Sequence, residues 1–195
     1  MTARLAPRSF WYLRHGETDW NAQGLSQGRS DIALNANGMA QAKRAAGIMA
    51  EHWNDHAPIT RIVSSPLIRA HRTAEIVADA LAERDGVRLP LLTDPDLQEV
   101  CFGEQEGRPM GSWYDDWIAG TYTPKGAEVF QELVSRAVAA VDRATEADGA
   151  ALIVCHGAMF RALRMAMGLP ANVRLSNAVP LWLTPGDPWV LTEVE

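Results

Sequence analysis

A histidine between an arginine and a glycine, Arg14-His15-Gly16, follows directly on the apolar run Phe10-Trp11-Tyr12-Leu13. An apolar run that breaks at a glycine reads as a buried strand ending in a tight turn. A histidine held at such a turn can attack an electrophile, and the arginine beside it can hold an oxyanion. Phosphorus chemistry needs that pairing, because the transferred group is dianionic and must be neutralised before a nucleophile approaches. Other residues suit the same task. Arg69 falls in the first turn of an expected helix, where free N–H groups and the positive dipole end favour phosphate, and its guanidinium adds a bidentate fork. His156-Gly157 repeats the histidine-glycine arrangement at a second strand end, so one imidazole can attack while the other clamps the group as a cation. Asn21, and Gln27 with Gly28, offer uncharged donors. Glu99 offers the proton that an alkoxide leaving group requires, with Asp96, Glu104 and Glu106 competing on spacing alone. Taken singly, each has a plainer reading: Arg69 as a solvated helix residue, the second histidine as a polar cap, the carboxylates as loop charges. His52, His56 and His71 lack such context and are assigned to surface or packing.

The elements that must bring these residues together alternate between strand and helix. Phe10 to Leu13, Ile59 to Val63, Leu89 to Thr93 and the continuous apolar stretch Ala150 to Cys155 read as strands, the last buried on both faces. Met39, Ala42, Ala46, Met49 and Trp53 recur at helical spacing, with Asn35 as N-cap. Ser65-Pro66 is expected to open the next helix, serine as cap and proline at the first position, with Ala70, Thr73, Val77 and Leu81 inward. Residues 94–125 read as irregular and rich in Gly, Pro, Asp and Trp, and a segment of that length inside a compact domain is usually functional. Val129, Leu133, Ala137, Ala140 and Ala144 mark a further helix. A helix over about 159–167 stops at Gly168-Leu169-Pro170. Val179 to Leu183 and Trp189 to Val194 read as two strands joined at Pro185-Gly186-Asp187-Pro188. The pattern implies an α/β three-layer sandwich: a mostly parallel central sheet flanked by helices, with the ligand beyond the carboxyl ends of the strands.

Composition narrows the partners. At 195 residues, 47% hydrophobic and 22% charged, the chain reads as one soluble globular domain over residues 1–195. A net charge of -6 leaves no basic field for nucleic acid or an acidic membrane surface, so a phosphate site must be a local cluster of cations. Cys101 and Cys155 make neither a disulfide scaffold nor a zinc pattern, which points to a reducing, cytoplasmic setting. No apolar signal segment follows Met1-Thr2-Ala3-Arg4, and no run is long enough to span a bilayer.

The motifs resemble the histidine phosphatase superfamily, the phosphoglycerate mutase-like proteins. The match begins at Arg14-His15-Gly16-Glu17-Thr18-Asp19-Trp20-Asn21 and continues through Gln27-Gly28, Asp31, Leu34, Gly38 and Gln41-Ala42. It runs on through Ser64-Ser65-Pro66-Leu67, Arg69-Ala70 and Thr73-Ala74, then Leu97, Glu99, Phe102-Gly103, Glu106-Gly107, Glu128 and Arg136, and closes at His156-Gly157 and Arg161. The resemblance implies that His15 becomes phosphohistidine, that Arg14, Arg69 and His156 surround the phosphoryl oxygens, and that Glu99 protonates the leaving oxygen and then activates water. It implies further phosphate contacts from Asn21, Gln27 and Gly28, and no metal or cofactor. There are departures: Leu25 stands where relatives often carry arginine, Asn35 where a threonine cap is common, and Lys125-Gly126-Ala127-Glu128-Val129 where a glycine-glycine-glutamate-serine run is familiar.

The same core supports phosphomonoester hydrolysis and phosphoglycerate mutation. A mutase usually shields its phosphohistidine with a longer lid than the short cap expected here over about residues 104–125. The aromatics of that cap, Trp113, Tyr114, Trp117 and Tyr122, suit either a leaving group or loop packing, and Asp115 and Asp116 disfavour a second phosphate nearby. The expected activity is therefore hydrolysis of a small-molecule phosphomonoester. Phosphoglycerate mutation is the first alternative, a non-catalytic phospho-ligand binding protein the second, and a phosphohistidine-protein phosphatase a third. The sequence leaves a homodimer open.

Overall fold

A computed structural model of the chain describes residues 3–52 and 55–195. Six strands form one sheet: β1 (Phe10–Arg14), β2 (Ile59–Ser64), β3 (Leu91–Thr93), β4 (Ala150–Cys155), β5 (Pro180–Thr184) and β6 (Val190–Glu193), in the order β3-β2-β4-β1-β5-β6. The first four run parallel, with Trp11 opposite Leu152 and Arg14 opposite Cys155, whereas β5 and β6 are antiparallel. The connection from β5 to β6 is too short for a crossover helix, so those strands must turn back as a hairpin.

Both faces of the central strands are covered. Alternate residues of β1 and β4 enter two separate cores: Trp11, Leu13, Leu152 and Val154 one, Phe10, Tyr12, Ile153 and Cys155 the other. Helices α2 (Ala36–His52) and α3 (Ile68–Asp85) close the first core, through Ala45, Ala46 and Met49 and through Ala70, Ala74, Val77 and Leu81. Helices α5 (Phe130–Thr145) and α6 (Gly157–Ala166) close the second, through Leu133, Ala137 and Ala140 and through Met159, Phe160 and Leu163. Two further helices are short: α1 (Asp19–Ala22) and α4 (Trp113–Ala119). This is the expected three-layer α/β sandwich, with the parallel strand ends β1, β2 and β4 opening on one edge.

Local chemistry corrects several expectations. Asn35 does cap α2, its Oδ1 accepting from the Gly38 N–H at 2.8 Å. Trp53, assigned to the inward face of that helix, lies outside the described residues. Ser65-Pro66 does not open α3. The first helical residue is Ile68, and its free N–H is taken by the Asp31 carboxylate at 2.8 Å. The strand read over Leu89 to Thr93 is shorter, beginning at Leu91. Residues 94–125 are not wholly irregular: they hold 3-10 turns at Pro95–Leu97 and Gly103–Gln105 as well as α4, which stops at left-handed Gly120. Val129 is exposed just ahead of α5 and does not join the buried face.

Candidate active site

His15 leaves β1 with its backbone N–H on the Cys155 carbonyl at 3.0 Å, which fixes the turn against β4. Its Nδ1 lies 2.6 Å from the Gly16 carbonyl oxygen. A carbonyl only accepts, so Nδ1 carries the proton and Nε2 keeps its lone pair. Burial, with Arg69 and Arg14 nearby, holds the imidazole well below its usual range, so it is neutral. The turn is braced from behind. The Gly16 N–H donates to Thr73 Oγ1 at 3.1 Å, the Thr73 hydroxyl donates to the Arg69 carbonyl at 2.8 Å, and Asn177 Nδ2 donates to the His15 carbonyl at 2.8 Å. Gly16 also meets the backbone of Gly38 so closely that a β-carbon on either residue would collide with the other segment's main chain. The glycine after His15 is therefore demanded by packing against α2.

The cations are placed by their own hydrogen bonds. Arg14 Nη1 donates to the Leu175 carbonyl at 2.5 Å, and burial lowers the guanidinium to about 10. Arg69, fully buried, donates from Nη1 and Nη2 to the carbonyls of Ser30 and Gly28 at 2.8 and 2.7 Å. Gly28 thus serves Arg69 through its carbonyl. Five buried side-chain polar atoms among the described residues have no hydrogen-bond partner, and three of them are Arg14 Nε, Arg69 Nε and His156 Nδ1. Buried donors are nearly always satisfied, so three orphaned nitrogens, at the ends of β1 and β4 and in the first turn of α3, suit an anion.

Arg14 and Arg69 border a hollow with His15, Asn21, Gln27, Gly28 and Glu99, and with Leu25, Phe102, Met110, Tyr114, Gly157, Ala158 and Arg161; His156 stands one residue ahead of the lining residue Gly157. The His156 ring is fully buried at 5.2 Å from that of His15, its Nε2 2.7 Å from Ser65 Oγ. Burial and the surrounding cations push its titration well below the ordinary value, which runs against the expectation of a cationic His156. Asn21 Oδ1 accepts from the Thr18 N–H at 3.2 Å, and the Thr18 hydroxyl donates to Gln27 Oε1 at 2.9 Å. Both amides are thereby oriented with an oxygen inward and an NH2 group left over to donate.

Glu99 is the carboxylate that reaches the hollow. Its Oε2 accepts from the Ala158 N–H at 3.0 Å, and its Oε1 from the N–H groups of Val100 and Met159 at 3.0 and 3.3 Å, so it also caps α6. The competitors are occupied elsewhere. Asp96 pairs with Arg143 at 2.7 Å, Glu104 accepts from the Lys125 N–H at 3.3 Å, and Glu106 ties down Arg29, Ser30 and Phe102 through their N–H groups at 3.0 to 3.1 Å. Glu128 and Arg136, carried in the sequence only as matching positions, are structural partners of the Glu99 loop. Arg136 grips Glu128 with bonds of 2.6 and 2.8 Å and donates to the carbonyls of Asp96, Gln98 and Glu99. Sequence reasoning also missed Arg161, Asn177 and Ser65. The only signal was that Arg161 and Ser65 fall on matching motif positions.

The cap is partly lining and partly packing. Tyr114 borders the hollow with the Arg161 guanidinium 5.1 Å from its ring centre, while Trp117 is buried with its Nε1 on the Glu128 carbonyl at 2.8 Å. Tyr122 is exposed. Asp115 accepts from Asn172 at 2.6 Å, and neither it nor Asp116 borders the hollow, so the expected bar to a second anion there falls away; the nearest charge at the mouth is Arg161. Among the described residues, no group of three or more His, Cys, Asp or Glu side chains could hold a metal ion, and no helix is long and apolar enough to cross a membrane.

Known proteins resemble the chain in sequence and fold. The chain is 36% identical over 172 residues to the uncharacterized phosphatase PhoE of Bacillus subtilis, covering 85% of this chain and 82% of the relative. It is 37% identical over 184 residues to a probable phosphoglycerate mutase, GpmB, of Yersinia pestis, covering 86% and 80%. Among solved structures, a mycobacterial glucosyl-3-phosphoglycerate phosphatase in complex with VO3 superposes with a TM-score of 0.76 at 27% identity, over 95% of this chain and 97% of that one. A phosphoglycerate mutase from Thermus thermophilus gives 0.73 at 26% identity, over 96% and 98%. The family model of the histidine phosphatase superfamily, branch 1, matches residues 10–179, and to that family this chain belongs.

Proposed function

We propose that the protein hydrolyses small phosphate monoesters through a phosphohistidine on His15. The observation that carries this reading is the meeting of His15, its Nε2 lone pair unengaged, with the orphaned Nε atoms of Arg14 and Arg69 and the Glu99 carboxylate around a single hollow, the His156 ring packed 5.2 Å from that of His15. In the first step His15 Nε2 forms a bond to phosphorus while the ester P–O bond breaks, and a protonated Glu99 gives its proton to the departing oxygen. In the second, Glu99 takes a proton from water, the water oxygen bonds to phosphorus, the N–P bond breaks, and phosphate leaves. Arg14, Arg69, His156 and the amides of Asn21 and Gln27 hold the equatorial oxygens as charge redistributes among them. Losing one such donor costs about 3 kcal/mol of barrier.

Hydrolysis is preferred to mutation because the cap is compact: one seven-residue helix and its flanking turns, with the hollow still open to solvent water. The mutase reading draws on the relative named as a probable mutase and on the cation Arg161 at the mouth. A panel of phosphorylated metabolites, assayed with and without 2,3-bisphosphoglycerate, separates them. Phosphate released at an undiminished rate without the bisphosphate supports the hydrolase, and isomerisation that depends on it overturns that assignment.

A further inference from the structure

Building on this phosphoryl-transfer reading, we propose that Ser65 is a positioning residue: its hydroxyl sets the tautomer of His156, so that the neutral imidazole presents Nδ1–H to the phosphoryl group. Ser65 is fully buried at the end of β2, and its Oγ accepts from the Leu67 N–H at 3.2 Å. That leaves its one hydroxyl proton to place, and His156 Nε2 lies 2.7 Å away. If Ser65 donates to Nε2, every atom of the pair is satisfied except Nδ1–H, a buried donor with no acceptor among the described residues. The reverse tautomer would strand the serine proton and turn a nitrogen lone pair toward incoming oxygen anions. The first arrangement alone makes His156 an attractive wall of the anion site while it is uncharged.

The surroundings favour an uncharged ring. Arg14 and Tyr12 of β1 and His15 just after it, Arg69 of α3 and Arg136 of α5 stand near it, and the Glu99 carboxylate is held two residues on, at the Ala158 N–H. A second consequence concerns pH. With Ser65 in place, His156 donates without needing to be protonated, so anion binding does not track imidazole ionisation. Without the hydroxyl, the ring is free to populate the tautomer with its proton on Nε2, and donation from Nδ1 then depends on protonating the ring.

The test uses the full chain labelled with 15N-histidine, and orthovanadate as the probe. In the wild type at pH 8, the His156 ring should show a pyridine-like Nε2 and a pyrrole-like Nδ1, and vanadate affinity should be flat between pH 6 and 8. In Ser65→Ala, the tautomer signal should mix or invert, vanadate should weaken about tenfold to a hundredfold at pH 8, and the loss should shrink toward pH 6. Ser65→Thr, which keeps the hydroxyl, should restore the flat profile. A wild-type His156 that is doubly protonated at pH 8, or that carries its proton on Nε2, overturns the proposal whatever the variants do. An equal loss in Ser65→Ala at every pH also overturns it, because simple loosening of packing has no reason to follow ionisation. These outcomes are independent of turnover. Failure to trap phosphate on His15 counts against the proposed function, while a reversed tautomer in a chain that still turns over counts against the Ser65 role alone.

Discussion

The floor of the hollow and its cap are built on opposite principles. On the floor, His15, Arg69 and His156 are almost wholly buried, and each is aimed by a hydrogen bond to a backbone carbonyl or a buried hydroxyl. The cap is held by rings: Phe102, Trp113, Tyr114, Trp117 and Phe130 meet edge to face or tilted with centres 4.9 to 5.8 Å apart. Its backbone is stitched to the loop after α1, with Met110 N–H on the Gly24 carbonyl and Ser26 N–H on that of Arg108. Directional bonds to fixed backbone permit little displacement, whereas aromatic contacts tolerate sliding at modest cost. On the proposed reading, charge stabilisation therefore belongs to the floor and leaving-group choice to the cap.

The contrast is open to breakage at several depths. The largest effect is expected for His15→Ala, which should abolish phosphate release and any acid-labile phosphoprotein, measured by quench and labelled-phosphate trapping. Turnover near the wild-type rate would remove the nucleophile from the floor. Next, Glu99→Gln should slow phosphohistidine formation from alkyl phosphates about a hundredfold to ten-thousandfold while sparing its formation from p-nitrophenyl phosphate, whose leaving group needs little protonation; equal losses in that first step would deny the acid role. Arg136→Lys should follow the same leaving-group pattern more weakly, since lysine cannot grip Glu128 and three carbonyls at once. Smallest, Tyr114→Phe should alter KM between esters less than about tenfold while leaving the rate of phosphohistidine formation from p-nitrophenyl phosphate unchanged, as fits a cap that selects without reacting.

The buried imidazoles also make the floor sensitive to acid. His15 and His156 are held below their unfolded value of 6.5, so the unfolded chain binds protons that the native chain refuses. Stability therefore rises with pH through that window and falls as pH drops below about 6.5. Melting temperatures of the unliganded protein should decline from pH 7.5 to 5.5, and a flat profile would mean that the rings take up protons as readily in the folded chain as in the unfolded one.

How much of this the chain announced depends on the range of the contact. Arg14-His15-Gly16 was legible because an apolar strand and a glycine turn are neighbours in sequence, and the parallel sheet followed from strand and helix alternation. Glu99 could be named but not preferred over Glu106 from spacing, since the choice rests on which carboxylate meets the amides of Ala158 and Met159. The capping of α3 by Asp31 was invisible for the same reason: the two lie 37 residues apart and nothing local links them. Helix α4 was missed because seven residues between glycines show too little periodicity to separate from a loop. Asn177 precedes Ala178, whose φ of 52° is unusual for a residue with a side chain, and such geometry leaves no trace in composition.

The crossing of Gly16 and Gly38 carries a cost for anyone reading function from mutational data. Residue 38 sits on the first turn of α2 and borders no part of the hollow. Yet adding even one methyl group there pushes on the main chain of Glu17 and hence on the nucleophile's turn. A saturation screen for activity would flag this remote position as intolerant beside His15 itself, and the intolerance would report a steric junction rather than a chemical role.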